Sequence, residues 1–461
     1  MEAANPLGTE KIPKLLMQFS IPAIIGMVVN ALYNVVDRIY IGHAPGLGAN
    51  GLAGITIGFP IMIILLSIGI LFGVGGATLF SMKLGAGKTE EAERAMGNAF
   101  SLLIISGLLF MLMGHLFLSQ MLTTFGASNS VLPYAISYMR IIFSGAVFQI
   151  VSIGMNNFLR ADGQPKLAMI TMFMGAGVNI ILDPVFIYVF DMGMAGAALA
   201  TILSQFISMV WILSYLLSKR SHHQIRLKNM RIKGRVAVRI TTLGMPSFLL
   251  QLGNSILNVV LNMSLLTYGG DIAVSGMGIV NSIQTILLMP ITGLIQGAQP
   301  IVSFNYGAKK FGRVKEAQKY AITVATTIVC IGWLATRIMP EQLVRLFNNE
   351  PELLTFGTKA LQTWFLCLPV IGFQIVASNF FQATGRTRSA IFLTLTRQII
   401  LLIPAILLFS NTWGMDGLLH AAPFADASAA LLTGILYTIG IRRLSKEESA
   451  VSDLELSLIH I

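Results

Sequence analysis

Residues 22–55 read PAIIGMVVNALYNVVDRIYIGHAPGLGANGLAGI, and residues 246–279 read PSFLLQLGNSILNVVLNMSLLTYGGDIAVSGMGI. With Pro22 laid on Pro246, Asn30 falls on Asn254, Asn34-Val-Val on Asn258-Val-Val, Ala49 on Ala273, and Gly54-Ile55 on Gly278-Ile279. The match continues downstream. Gly85-Ala86-x-Lys88 answers Gly307-Ala308-x-Lys310, Asn157-Phe158-x2-Ala161-x-Gly163 answers Asn379-Phe380-x2-Ala383-x-Gly385, and Gly193-x2-Gly196 answers Gly414-x2-Gly417. The chain is a tandem repeat. It divides into 1–218, a linker over 219–239, a second half over 240–445 and a tail over 446–461.

Composition places both halves in a membrane. The chain is 55% hydrophobic and 11% charged, where soluble domains average about 25% charged residues. A span needs about 20 mostly apolar residues. Such runs lie near 16–41, 52–80, 96–118, 132–158, 167–190 and 193–218. Six more lie near 243–267, 272–302, 318–339, 355–383, 389–410 and 416–441. The first run is too long for a signal peptide and lacks a small-residue cleavage site. Six spans per half is an even number, so both halves start on the same side and the repeats are parallel. The expected fold is an all-α polytopic membrane protein: twelve transmembrane helices in two parallel six-helix repeats around a central cavity. Transporters built this way hold their site between the repeats.

Lys and Arg set the expected orientation. They recur at Lys11 and Lys14, Lys83 to Arg94, Arg160 and Lys166, Lys219 to Arg239, Lys309 to Lys315, Arg386 and Arg388, and Arg442 and Arg443. The intervening loops nearly lack them, which places both termini in the cytoplasm. Arg337 and Arg345 are the exception, and the acids around them suggest an outer loop with a short amphipathic helix. The net charge of +11 then reflects topology and contact with anionic membrane lipids. Basic residues scattered over loops argue against nucleic acid as a partner. The run Lys219–Arg239 reads as a solvated linker, and His222-His223 within it as solvated too. His43 reads as an interfacial His. Cys330 and Cys367 sit in apolar runs as small core residues, and no His/Cys cluster has metal spacing. No cofactor is expected, and nothing marks an enzyme: no nucleophile, metal or phosphate motif stands at an interface.

Two acids stand inside apolar runs: Asp37, in Asn30-x3-Asn34-x2-Asp37, and Asp183, in Asn179-x3-Asp183-Pro184. A charged Asp at a span centre costs about 2.5–3.5 kcal/mol on insertion scales, so such residues mark ion, proton or substrate paths. Positions 30, 34 and 37 share one helical face. The second copy keeps Asn254 and Asn258 but has Leu261 in place of the acid. Asp183 falls near Ala405, where Arg397-Gln398 and Pro404 appear instead. An anionic site is therefore expected in the N-terminal half alone. Counted from the outer span ends, Asp37, Asp183 and Thr201 lie about 6, 10 and 12 Å deep at 1.5 Å per residue. Asn179 is one turn deeper than Asp183. Pro184 removes a backbone donor and favours a kink there.

Other polar residues have open roles. Arg38 either snorkels outward or pairs across the bundle. Arg140 either neutralises a carboxylate or makes an interhelical hydrogen bond. Asp426 is either a second protonation site or a cap beside Pro423. Gln284, Gln296 and Gln299 line the cavity or join helices. Met172, Met174, Met277 and Met289 suit an adaptable cavity. Asn30, Asn34, Asn254, Asn258, Gln284, Met277 and Met289 are the substrate candidates.

Taken together, Asn34-x2-Asp37-Arg38-x-Tyr-Ile-Gly42, Asn157-Phe158-x2-Ala161-x-Gly163, Asn179-x3-Asp183-Pro184, Gly193-x2-Gly196-x-Ala-x-Ala-Thr201 and Gln299-Pro300-x4-Tyr306-Gly307 resemble the multidrug and toxic compound extrusion (MATE) family over residues 10–445. The missing acid in span seven is similar to the bacterial DinF-like branch, including MepA-like exporters. The resemblance implies that Asp37, Asn179, Asp183 and Thr201 match protonation or sodium positions, with H⁺ or Na⁺ as coupling ion and no other metal. It implies a monomeric antiporter in the bacterial cytoplasmic membrane, exporting lipophilic organic cations by alternating access. Two alternatives share the fold. A lipid or polysaccharide-precursor flippase would need a cationic groove, and a selective metabolite exporter would differ only in its substrate.

Overall fold

The computed structural model describes residues 5–43 and 48–459. Side chains at 34, 38, 42–43, 48–50, 52 and 451–459 lie outside that description, so the expectations for Asn34, Arg38 and His43 fall beyond it. Every described element is helical, and no strand occurs among the described residues. In chain order the helices are α1 (Pro6–Thr9), α2 (Ile12–His43), α3 (Gly48–Gly85), α4 (Thr89–Thr124), α5 (Leu132–Ser144), α6 (Ala146–Ala161), α7 (Pro165–Pro184), α8 (Gly193–Leu216) and α9 (Leu227–Met230). There follow α10 (Gly234–Gly307), α11 (Phe311–Ile338), α12 (Pro340–Arg345), α13 (Pro351–Trp364), α14 (Leu368–Ala383), α15 (Thr387–Leu395) and α16 (Ile403–Ile459). π-Helical turns join α7 to α8 at Val185–Val189 and α15 to α16 at Thr396–Leu402.

Among the described residues, eight helices are long and apolar enough to cross a membrane. Two of these are too long to be single spans. α10 has 74 residues and would run about 110 Å at 1.5 Å per residue, against a hydrocarbon core of about 30 Å. It breaks at Gly270, where φ is 63°. α16 breaks likewise at Gly414, with φ 60°. That left-handed region admits glycine without the Cβ penalty. The spans placed over 132–158 and 355–383 are bent pairs: α5 and α6 meet at 56°, and α13 and α14 at 51°. With each long helix counted as two spans and each pair as one, twelve crossings result, in agreement with the sequence. The short helix expected near Arg345 is α12, closed by an Arg345–Glu341 ion pair at 2.7 Å.

The chain forms two compact units. One comprises Ile21–Phe248; the other joins Met1–Ser20 to Leu249–Ile461. Close helix approach shapes the first unit. A Cβ on Gly73 would stand 2.5 Å from Gly154 Cα, so α3 and α6 touch backbone to backbone, as small residues allow in membranes. Phe80 and Phe158 fill the space beside them, with ring centroids 5.9 Å apart.

The segment after α8 departs from expectation. Much of it is exposed as expected, His222 included, but it is also docked onto the first unit at several points. Asp162 carries a side chain with no exposed surface and accepts from His223 Nδ1 at 2.7 Å, Tyr215 Oη at 3.2 Å and Ser221 Oγ at 3.3 Å. His222 Nδ1 lies 3.1 Å from the Asp162 carbonyl. Further on, Asn98 Nδ2 donates to Asn229 O at 2.9 Å, and Ser101 Oγ donates to Met230 O at 2.7 Å. A carboxylate this buried needs donors, and the linker supplies them. The basic charge of the segment hid this, because the residues that dock it are its His, Ser and Asn.

In the other unit the N-terminal segment docks in a similar manner. Asn305 Nδ2 donates to Leu7 O at 2.9 Å, Lys310 Nζ to Gly8 O at 2.8 Å and Arg313 Nη2 to Glu10 O at 2.6 Å. Leu7 O and Gly8 O belong to a four-residue helix and Glu10 O to the residue that caps it, and carbonyls at a helix end otherwise lack partners.

Candidate functional site

The first unit holds a closed polar cluster among apolar helices. Asp183, the penultimate residue of α7, has no exposed surface, and Asn179, one turn earlier, is 1% exposed. Asn179 Nδ2 donates to Asp183 Oδ1 at 3.3 Å. Asp183 Oδ2 and Asn179 Oδ1 are buried and accept no hydrogen bond from the described residues. The Asp37 carboxyl, from α2, is the immediate neighbour of Asp183. Neither carboxylate can donate to the other until one of them carries a proton.

Tyr138 on α5 completes the cluster. It is among the largest fully buried side chains, its hydroxyl meets the Thr201 side chain on α8, and Asp37, Asp183 and Tyr33 lie within electrostatic reach of it. Thr201 Oγ1 also bonds the Ala197 carbonyl at 3.0 Å. The cluster thus draws on α2, α5, α7 and α8. Asp37, Asn179, Asp183 and Thr201 come together as their sequence depths suggest. Tyr138 and Tyr33 were not read from the sequence, because a Tyr in an apolar run carries no signal of which way it faces. The one available hint was register: Tyr138 lies about 9 Å from the start of α5 at 1.5 Å per residue, close to the depth of the acids.

Local geometry explains why α7 presents its acid here. Pro184 ends the regular α7 ladder, and the π-helical turn Val185–Val189 follows at once. Phe190 N bonds Val185 O at 3.0 Å, and Met192 N bonds Phe186 O at 3.0 Å. Tyr188 Oη then donates to Tyr40 O at 2.7 Å, with the two rings edge to face. This ties the end of α7 to α2 about one turn beyond Asp37.

The second unit has a different interior. Leu261, in the place of Asp37, is 2% exposed. Asn254 is half-buried and accepts from Gln398 Nε2 at 2.6 Å, while Asn258 is exposed and bonds the Asn254 carbonyl. Asp426 is 2% exposed, and its Oδ1 accepts from Arg397 Nε at 2.7 Å. Expected as a second protonation site or in a packing or capping role beside Pro423, Asp426 is held in an ion pair, which satisfies a carboxylate too deep to stay unpaired. Gln284 Oε1 accepts from Trp364 Nε1 at 3.4 Å. Met277 has no exposed surface and packs in the interior of its unit, while Met289 is half-buried. Arg140 neutralises no carboxylate and makes no interhelical side-chain bond among the described residues; it is exposed on α5. Asn30 is exposed on α2, about two turns before Asp37.

A family model described as MatE matches residues 22–185 and again residues 246–407. The chain belongs to the MatE family. The two matches start at Pro22 and Pro246, the same pair that opens the internal repeat. The multidrug export protein MepA of Staphylococcus aureus (strain MSSA476) is 28% identical to this MatE chain over 444 residues, covering 95% of it and 97% of MepA. Among solved structures, the MATE multidrug transporter DinF-BH is 37% identical, with TM-score 0.88, and the match covers 95% of this chain and 97% of that one. A MOP superfamily transporter from Pyrococcus furiosus, described as having a binding pocket of reverse polarity, is 27% identical with TM-score 0.89, covering 95% and 98%. The chain is therefore a membrane-spanning member of a multidrug-export transporter family, and not an enzyme.

Proposed function

We propose that this chain is a cation-coupled antiporter that exports lipophilic organic cations, with H⁺ or Na⁺ bound at Asp37 and Asp183. The carrying observation is the wholly buried Asp183, with an orphaned carboxylate oxygen and a second acid beside it. Two neighbouring carboxylates repel strongly in a low-dielectric interior. One shared cation relieves that repulsion. Asn179 and the Tyr138–Thr201 pair orient the site, and the buried Asn179 Oδ1 is a further oxygen for a sodium ion. Binding or loss of the cation changes the charge of one unit. That charge change biases an equilibrium between outward- and inward-facing states, provided the cation and the substrate differ in affinity for them. One charge moving down 100 mV is worth about 2.3 kcal/mol, but a monovalent organic cation leaving in exchange cancels it, so a one-for-one exchange draws on the concentration gradient of the coupling cation alone.

The test is ethidium efflux from reconstituted vesicles under an imposed pH or Na⁺ gradient. Efflux should follow one of the two gradients. Equal efflux with neither gradient present would overturn the coupling. The flippase alternative is less favoured, because Arg397, a cation inside the second unit, is paired with Asp426.

The proposed location is the bacterial cytoplasmic membrane, with both termini inside. Ser221 is buried against Asp162, so labelling is better placed at exposed sites. Cysteines at Arg220 and Asn129, both exposed, should label from opposite sides. Labelling at 220 by an impermeant maleimide in intact cells would reverse the orientation.

A further inference from the structure

The function described above makes no use of Arg337, which stands in the last turn of α11. Its Cζ lies 5.5 Å from the centre of the Trp333 ring, one turn earlier on the same helix. Arg337 Nε and Nη2 and Trp333 Nε1 are all closed from solvent, and none of the three has a hydrogen-bond partner among the described residues. Arg337 also forms no ion pair there. The ionisable side chain within electrostatic reach of it is Cys367, at the bend between α13 and α14.

Buried donors without acceptors are costly, and those of a guanidinium more so. An Arg near a span end usually escapes that cost by snorkelling along the lipid face to the headgroups. On α11 the lipid face carries Ile331, Leu334 and Ile338, from 48% to 74% exposed. A guanidinium lying along that face would leave Nε and Nη2 with accessible surface, and they have none.

The first unit shows the same place satisfied. One offset of 222 residues relates Gly85 to Gly307 and Asn157 to Asn379. It lays Arg337 on His115, Trp333 on Met111 and Leu366 on Ser144. His115 Nδ1 lies 2.8 Å from the Met111 carbonyl, and its Nε2 lies 3.3 Å from Ser144 Oγ. The second unit puts a cation in place of the imidazole and Leu366 in place of the hydroxyl. Its partner must therefore come from beyond the described residues.

We propose that Arg337 Nε and Nη2, with Trp333 Nε1, form a seat for one small monovalent anion, a halide or a small carboxylate. Nε and Nη2 share one edge of the planar guanidinium, a fork that holds an acceptor with two parallel donors. The indole adds a third donor beside it. A water molecule would meet these donors and leave the charge. A single negative charge cancels it, whereas a sulfate or phosphate would replace one uncompensated buried charge by another.

The experiment follows thermal unfolding of the purified full chain by circular dichroism. Sodium is held constant, so the cation site proposed above contributes equally throughout, and the anion is chloride, acetate or the bulky gluconate. Chloride or acetate should raise the midpoint above that in gluconate, in proportion to the logarithm of its concentration once in excess; which of the two does so names the occupant. Arg337→Gln should lose this dependence. Trp333→Phe keeps the ring and should weaken the apparent affinity about fivefold, the loss of one hydrogen bond. Arg220→Gln, an exposed cation on the segment after α8, should leave the dependence intact. Crystals grown in bromide should show an anomalous peak within hydrogen-bond reach of Arg337 if the halide is the occupant. Equal midpoints in the three salts, or a dependence that survives both Arg337→Gln and Trp333→Phe, would overturn the seat.

Discussion

Asp183→Asn is expected to abolish gradient-driven ethidium efflux, by tenfold or more, while the protein still inserts and folds. The amide is nearly isosteric with the carboxyl. It keeps an oxygen for Asn179 Nδ2, which now donates to Asp183 Oδ1 at 3.3 Å. It also removes the uncompensated oxygen buried on the other side of the group, so stability should hold or rise. What disappears is the charge. With Asp183 neutral, the repulsion against Asp37 vanishes, and a cation no longer has a reason to enter. Transport at the wild-type rate under both pH and Na⁺ gradients would remove Asp183 from the mechanism. Loss of the folded protein instead would point to a packing role for the acid.

The asymmetry of the two halves should appear in the shape of the rate profile. Asp37→Asn is expected to flatten the dependence of transport on outside pH or Na⁺ and to lower the rate at least tenfold. Asn254→Ala with Asn258→Ala should leave that dependence in place and raise the substrate concentration for half-maximal rate. Coupling is a difference in affinity between states, and only groups that contact the cation can change its stoichiometry. Each lost hydrogen bond costs about 1 kcal/mol, so the double variant should shift the half-maximal concentration by roughly five- to thirtyfold. Asn254 is the riskier of the two. Its removal orphans Gln398, which is only 5% exposed, so Asn258→Ala alone is the companion that spares the fold. A lost ion dependence in the double variant, with Asp37→Asn unaffected, would move the site to the other half.

Much of this was legible because membranes simplify sequence. Backbone groups must be satisfied within each span, so long apolar runs can only be helices, and the repeat from Pro22 and Pro246 onward fixed their number. The acids were legible for the same reason, since a charge in lipid needs a cause. The bends were harder. The break between α5 and α6 falls at Gly145, and that between α13 and α14 falls at residues 365–367, where a glycine or an apolar triplet looks like ordinary span. Tyr138 was invisible because burial of an aromatic in an apolar run is the default. Met277, expected at a cavity, is in the core because chemistry alone does not say which face of a helix a Met occupies. The docked linker was missed because its basic residues suggested solvent, while Asp162, its anchor, lies some 60 residues earlier in the chain. Arg397 and Asp426 read singly as anomalies; only their 2.7 Å contact makes them a neutral pair, while Asp183 of the other unit keeps a buried oxygen without a hydrogen bond.

The most direct measurement is cation movement driven by substrate. Vesicles holding purified protein are loaded with ethidium and diluted into ethidium-free buffer, with no ion gradient imposed, and internal pH and Na⁺ are followed with entrapped indicators. As ethidium leaves, one of the two cations should enter in fixed proportion, and both Asp37→Asn and Asp183→Asn should abolish that entry. Ethidium release with no inward movement of either cation, or cation entry that persists in both variants, would contradict coupling at the buried acid pair.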